Sequence, residues 1–339
     1  MPINVKPILT ELALVRPITK DEMRDVFEAI LEAEVTPAQI GAFLMGLEVA
    51  KVNATDTLVA GASAMRSKMI KLDVPFETID VCGTGGDGAH SLNISTATSF
   101  VVAATGTKVA KHGNRSMSSI CGAADVLEAL GVKLTSDPKI QLKALEDANL
   151  AFFFAPNYHP KLAYVGPLRR ELGFGTAFNI MGPLCNPTLA SKQLMGVYRP
   201  ELLVAVAETL RELGSKAVWI IHGLGGLDEA VLHGPTDVVE LKNGKLREFT
   251  INPSDCGLAN SPLETLKGGD ANFNANALMN LLRGEKSEYR DAVILNSACA
   301  LVMADVANDL KTAAEVAANA IDSGKAMEVL NTLKVITNE

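Results

Sequence analysis

The chain has 339 residues, 48% of them hydrophobic and 5% aromatic, with a formal net charge of −8. That length buries a sizeable core and suggests one large domain with a smaller companion. The acidic balance, without a block of like charge, argues against general binding to nucleic acid or anionic membranes. Cys82, Cys121, Cys185, Cys256 and Cys299 are scattered without a C-x-x-C pair, which fits reduced thiols in a cytoplasm rather than a disulfide frame or zinc site. The opening MPINVKPILTEL has no apolar signal core and no run approaches a membrane span, so a soluble, untargeted protein is expected.

The first seventy residues read as helices alone. Thr19 with Glu22 spells a capping box, and Thr36, Pro37 and Gln39 supply cap, first-turn proline and reciprocal partner for the next helix. Ala42, Phe43, Leu44, Leu47 and Ala50 are too apolar for a lone surface helix, so this region is expected to pack on the main body or on a second subunit. From Glu77 the pattern becomes short β-type runs alternating with helical ones. Thr78–Cys82, Lys108–Lys111, Ala151–Ala155, Leu194–Tyr198 and Ala217–His222 are candidate strands, several apolar on both faces, as a covered parallel sheet requires. Leu92–Thr105, Ser118–Leu130 and Glu201–Leu213 read as crossover helices. The predicted architecture is α/β, a small all-helical domain beside a larger domain with a mostly parallel central sheet. A second helical insert, Pro160–Leu172, and the following GFGTAFNIMGPLCNP are expected to rejoin the helical domain. The expected division is 1–74 with 160–190 against 75–159 with 191–339. Asn243-Gly244 marks a hairpin, and the chain from Asp270 is Ala-rich helix.

The chemistry centres on DVCGTGGDGAHSLNIST, Asp80 to Thr96. Gly83, Gly85, Gly86 and Gly88 free the backbone N–H groups to close around an anion, and Asn93, Ser95 and Thr96 add polar caps where a helix begins. The formal G-x-G-x-x-G match is not a dinucleotide site, because Ala89 to Gly122 holds no acidic residue for a ribose. It is not a P-loop, because Gly88-Ala89-His90 lacks the lysine. Asp87 would repel a bare phosphate and suggests a sugar hydroxyl or magnesium-bound water. After the second strand, Lys111-His112-Gly113-Asn114-Arg115-Ser116 forms a second polar cradle, which faces the same crevice if the two strands are neighbours. Asp228 and Glu229 follow a strand through a glycine-rich turn. Read one way they serve magnesium; read the other, Asp228 caps a following helix whose first turn holds Glu229. Arg169 falls on the apolar side of the insert helix, Arg170 some 100° away; an inner arginine suits a carboxylate, of the protein or of a substrate. No nucleophile with an adjacent base appears, and the five histidines show no partner spacing, so the chemistry reads as positioning and charge stabilisation.

Taken together, GTGGD at 83–87, NIST at 93–96, KHGNRS at 111–116, CGAADVLEALG at 121–131, FNIMGPLCNP at 178–187 and HGLGGLDE at 222–229 resemble the anthranilate phosphoribosyltransferases of tryptophan biosynthesis over nearly the whole chain. The resemblance implies a nucleoside-phosphorylase-like fold, a homodimer joined through the helical domain, and transfer of the phosphoribosyl group of 5-phosphoribosyl 1-diphosphate (PRPP) to the amine of anthranilate. It leaves open association with the glutamine amidotransferase of anthranilate synthase. It further implies that Gly83, Gly86, Asp87, Ser91, Asn93, Ser95, Thr96, Lys111, Ser119 and Ala123 hold PRPP, Ala123 through its backbone. Ser95, Asp228 and Glu229 would serve magnesium, two ions per subunit, and Gly83, Asn114 and Arg169 would hold anthranilate. One position departs from the pattern: Gly175 stands where an arginine is expected. A pyrimidine nucleoside phosphorylase would share the fold but should carry a lysine-serine pair at 111–114. A nucleic-acid-binding relative should show a decayed glycine loop and a basic face.

Overall fold

Four helices open the chain, α1 (Lys6–Ala13), α2 (Lys20–Leu31), α3 (Pro37–Val49) and α4 (Ala54–Lys68), in a computed structural model that describes residues 3–50, 52–116 and 120–339. Both capping boxes form. Thr19 Oγ1 accepts from the Glu22 N–H at 3.2 Å while Glu22 Oε2 accepts from the Thr19 N–H at 2.8 Å, and Thr36 with Gln39 repeats the exchange at 3.4 and 3.1 Å. The buried faces of these helices meet around Phe27, whose ring stands edge-on to Phe43 at 5.2 Å and to Phe178 at 5.6 Å. Phe178 lies more than a hundred residues on, in the insert, which therefore shares one core with α1–α4.

Among the described residues seven strands form a single sheet: β1 (Ile79–Gly83), β2 (Val109–Gly113), β3 (Leu150–Phe154), β4 (Lys192–Gly196), β5 (Ala217–Gly223), β6 (Thr236–Lys242) and β7 (Lys245–Ile251), in the order β3-β2-β1-β4-β5-β6-β7. The first five run parallel, and β6 and β7 pair antiparallel through the Asn243-Gly244 turn, where both residues have positive φ. Each parallel crossover carries helix: α5 (Ile94–Ala103), α6 (Ala123–Ala129) with α7 (Pro138–Asp147), then α8 (Ala155–Tyr158), α9 (Val165–Leu172) and α10 (Phe178–Met181), then α11 (Leu203–Glu212). The chain closes with α12 (Ala271–Leu282), α13 (Glu288–Met303), α14 (Leu310–Asp322) and α15 (Lys325–Asn338). Strand alternation divides the two cores. On β5, Val218 and Ile220 join α1–α4, α11 and the insert, whereas Ala217, Trp219 and Ile221 join α5 and α12–α15.

Most expected elements shift by one or two residues at their ends, and at three the cause is visible. The helix expected from Ser118 starts at Ala123, because Asp125 Oδ2 takes the Gly122 N–H at 2.9 Å and fixes Gly122 as its cap; residues 117–119 lie outside the described ones. The insert helix splits into a 3₁₀ turn, Pro160–Ala163, and α9, with Pro167 in the first turn of α9, where a missing N–H costs nothing. β4 ends at Gly196, two residues early, since another segment crosses that strand end, as described below.

The chain passes between the two cores three times, and the crossings are tied to one another: the Ile70 N–H donates to the Tyr158 carbonyl at 2.9 Å and the Leu72 N–H to the Pro187 carbonyl at 3.1 Å. Beside them the rings of His112 and His159 lie 5.1 Å apart, each only 6% exposed. Burial pushes His112 down to about 3 and His159 to about 4. Both rings are neutral in the fold, yet the unfolded chain protonates them below about pH 6.5. Their stabilisation is complete above that pH and is lost as pH falls toward 4, by about 2 kcal/mol per ring at pH 5. Asp80, raised by burial to about 6, works in the opposite sense over the same range, so a variant comparison isolates the histidines. The melting temperature of wild type, followed calorimetrically from pH 7 to pH 5, should fall more steeply than that of the His112→Gln/His159→Gln protein. Parallel curves would contradict the assignment.

Candidate active site

Because β1 and β2 are parallel neighbours, the glycine loop and the 111–116 segment leave the same end of the sheet. The strand order reverses at β1 and β4, where open α/β sheets place ligands. Across this end runs the segment Leu227–Ala230. A Cβ on Gly83 would lie 2.3 Å from Asp228 Oδ2, one on Gly196 1.6 Å from the Asp228 carbonyl oxygen, and one on Gly223 2.5 Å from the Glu229 carbonyl oxygen. The ends of β1, β4 and β5 are therefore glycine because another stretch of backbone rests on them. No helix follows Asp228 and Glu229, so the capping alternative fails; residues 228–235 run irregularly into β6. Instead the two carboxylates reach other elements. Asp228 Oδ2 accepts the Gly85 N–H at 2.6 Å, and Glu229 Oε1 accepts the Ser95 N–H at 3.1 Å, capping α5 in place of Asn93.

The electrostatics are unfavourable by design. Asp228 is 8% exposed; burial lifts its carboxyl far above the usual carboxylate range, and the nearby Asp87 adds to the rise. Glu229 is lifted likewise by burial and by Asp228. The counter-charge beneath them is Lys111, 3% exposed, whose Nζ donates to the Val81 carbonyl at 2.7 Å and to Ser95 Oγ at 3.3 Å. Burial pulls the Lys111 ammonium down, while Asp80, Cys82, Glu229 and Asp228 hold it up. One ammonium facing several carboxylates leaves the pocket short of positive charge. Among the described residues no set of three or more Asp, Glu, His or Cys side chains could by itself hold a metal. Two hard carboxylates with a serine hydroxyl suit a magnesium ion that keeps waters and takes further oxygens from a substrate.

The other predicted residues divide between this crevice and its walls. Gly85, Gly86 and Gly88 all have positive φ, and Asp87 Oδ1 takes the Ala89 N–H at 3.1 Å, turning the loop on itself. Ser91 bridges to Lys267, and Asn93 spans the Cys121 carbonyl and the Asn274 amide. Thr96 is buried and, with Ser99, Phe100 and Lys111, lines a small void. Ala123 opens α6, and Ser119 lies outside the described residues. Asn114 is exposed and its Oδ1 accepts the Arg115 N–H at 2.7 Å. Arg115 is not a free second cation: it pairs with Asp125 and Glu128, each at 2.7 Å. Arg169 is half-buried on α9 with Arg170 exposed, as helical geometry required, and its Nη2 donates to Asn179 Oδ1 at 3.1 Å. Gly175 faces the Tyr198 hydroxyl, 3.2 Å from where a Cβ would stand, beside a cavity of about 270 Å³.

Sequence reasoning missed several groups. Tyr289 Oη donates to the Asn93 carbonyl at 3.1 Å, and Asn274, 1% exposed, joins Asn93 to the Gly269 N–H. Both come from C-terminal helices some 180 residues away, and neither left a signal, Asn274 being one of four asparagines in α12. The His112–His159 pair and the Asp80–Asn186 bond left none, their partners being remote in sequence.

Residues 76–327 match the glycosyl transferase family, a/b domain, and residues 6–69 its helical bundle domain. An anthranilate phosphoribosyltransferase of Parvibaculum lavamentivorans is 47% identical over 335 residues, covering 99% of this chain and 98% of that protein. The crystal structure of anthranilate phosphoribosyltransferase from Thermus thermophilus superposes with a TM-score of 0.91 at 37% identity, over 98% of this chain and 99% of that one. That from Saccharomyces cerevisiae in complex with PRPP and Mg gives 0.86 at 26% identity, over 94% and 93%. The chain therefore belongs to the anthranilate phosphoribosyltransferases, enzymes of the glycosyl transferase family.

Proposed function

We propose that the crevice transfers the phosphoribosyl group of PRPP to the amine of anthranilate and releases pyrophosphate. The observation that carries this reading is the pair Asp228–Glu229, the first buried and the second half-buried, mutually repelling and held against the glycine loop and Ser95. A site built so short of positive charge suits a diphosphate that arrives with a divalent cation. Bound there by Ser95, Asp228 and Glu229, magnesium would neutralise the departing pyrophosphate, two ions per subunit. The backbone of Gly83 and Gly86, with Asp87, Ser91, Asn93, Ser95, Thr96, Lys111, Ser119 and the N–H of Ala123, would hold the diphosphate and the phosphoribosyl group. Lys111 would add fixed positive charge beneath the leaving group. The aromatic amine is neutral near pH 7 and carries a lone pair, so the chain needs to supply no strong base. Its work is to hold the acceptor, the carboxylate on Arg169 with Asn114 and Gly83 alongside, in line with a C1′ that gains oxocarbenium character.

We also assign the helical unit, 1–74 with 160–190, to dimerisation. Exposed Leu14, Val15, Met45 and Val49 give it the apolar surface that such a face needs.

The reading is tested by the fluorescence of anthranilate mixed with enzyme, PRPP and magnesium: it should decay, and EDTA should stop the decay. No decay in enzyme that still binds PRPP would sink the assigned acceptor. Arg169→Ala should raise the anthranilate KM by about 10²-fold, the worth of a charge-assisted grip, and leave the PRPP KM within a few-fold; equal effects would remove its carboxylate role. Asp228→Asn/Glu229→Gln should lower kcat by at least about 10²-fold while raising the melting temperature by a few degrees, because buried repulsion disappears. A variant less stable than wild type would contradict the repulsion assigned here.

A further inference from the structure

The sheet is not evenly laced. β1–β4, β2–β3 and β4–β5 each register over five residues, whereas β1 and β2 meet only at Ile79 and Val109. Beyond that point side chains replace the ladder. The His112 N–H donates to Asp80 Oδ1 at 3.2 Å, the Ala110 carbonyl accepts from Asn186 Nδ2 at 2.7 Å, and the Val81 carbonyl accepts from Lys111 Nζ at 2.7 Å. The two strands that carry the phosphate-type loops are thus splayed, and Asp80, Asn186 and Lys111 fill the gap. Asp80 is 0% and Asn186 4% exposed.

Asn186 uses its whole hydrogen-bonding capacity here. Its other Nδ2 hydrogen goes to Asp80 Oδ2 at 2.8 Å, while its Oδ1 accepts from the Thr188 N–H and hydroxyl, both at 2.9 Å. Asn186 also ends the stretch that begins at Arg169. Arg169 is bonded to Asn179 on α10, and α10 runs through the turn Pro183–Cys185 directly into Asn186. A neutral amide suits the position: an aspartate would repel Asp80, and a serine could not span both strands.

We propose that Asp80 and Asn186 are positioning residues for the transfer, a buried wedge that replaces the β1–β2 ladder and fixes the arm bearing Arg169 to the strands bearing the donor loops. This rests on the acceptor role given to Arg169 above. Neither residue touches substrate; the wedge sets the distance between the acceptor grip and C1′.

The test is steady-state kinetics combined with PRPP calorimetry on the full chain. Asn186→Ala should raise the anthranilate KM about ten-fold and leave the PRPP Kd within about two-fold. Added to Arg169→Ala, it should raise that KM no further, since both act through one contact. Equal effects on the two substrates, or additive effects in the double variant, would reduce the wedge to a stability element and overturn the proposal. Should Asn186→Ala fail to fold, Thr188→Val decides; it takes one donor from the Asn186 carbonyl and with it the hydroxyl paired with Thr78 at 2.9 Å, so Thr78→Val serves as its control. An anthranilate KM raised about three-fold in Thr188→Val but not in Thr78→Val supports the wedge, and one unchanged, or raised equally in both, overturns it. Wild type that binds PRPP but does not transfer to anthranilate would instead remove the acceptor reading, and the proposal with it.

Discussion

The segment carrying Asp228 and Glu229 lies across the ends of β1, β4 and β5, and most of the site depends on that contact. It forces glycine at positions 83, 196 and 223, since any Cβ there would meet backbone or carboxylate. It places Asp228 on the Gly85 N–H and Glu229 on the Ser95 N–H, so the glycine loop and the start of α5 are held by the groups that suit a cation. Lys111, buried below, partly compensates and donates its own hydrogen bonds to the Val81 carbonyl on β1 and to Ser95 Oγ. The crevice is thereby organised around missing positive charge, which fits an incoming metal-bound diphosphate and disfavours a bare anion.

Such a site is destabilising on its own, and the rest of the fold supports it. Two hydrophobic cores, one on each face of the sheet, clamp the strands from which the loops emerge. On one side, α5 and α13 cover β1 and β4, and Tyr289 and Asn274 hold Asn93 from behind. On the other, the insert returns from the helical unit through Asn186 to the opening between β1 and β2. Strain accumulated at a functional centre is thus balanced by ordinary packing around it.

Much of the architecture was legible in the sequence because it rests on local chemistry. Both capping boxes, the Asn243-Gly244 hairpin and the doubly apolar strands are written in neighbouring residues. The glycine loop was legible for the same reason, and so was the inward face of Arg169. What stayed hidden depends on tertiary proximity. Asp228 and Glu229 read equally well as a helix start until β4 and β5 were known to lie beside β1. Arg115 looked like a ligand cation, but Asp125 and Glu128 on the following helix claim it. His112 and His159 meet only because the insert folds back over β2, and the gap between β1 and β2 has no sequence signature at all.

The central claim, a donor cradle whose carboxylates require a divalent cation before they accept a diphosphate, is most directly tested by calorimetric titration of PRPP into the wild-type protein with magnesium and with EDTA. The account predicts binding at least about ten-fold tighter with magnesium, because without it three carboxylates face the diphosphate with one lysine to offset them. Equal affinity under the two conditions would contradict it and return Asp228 and Glu229 to the role of loop ties.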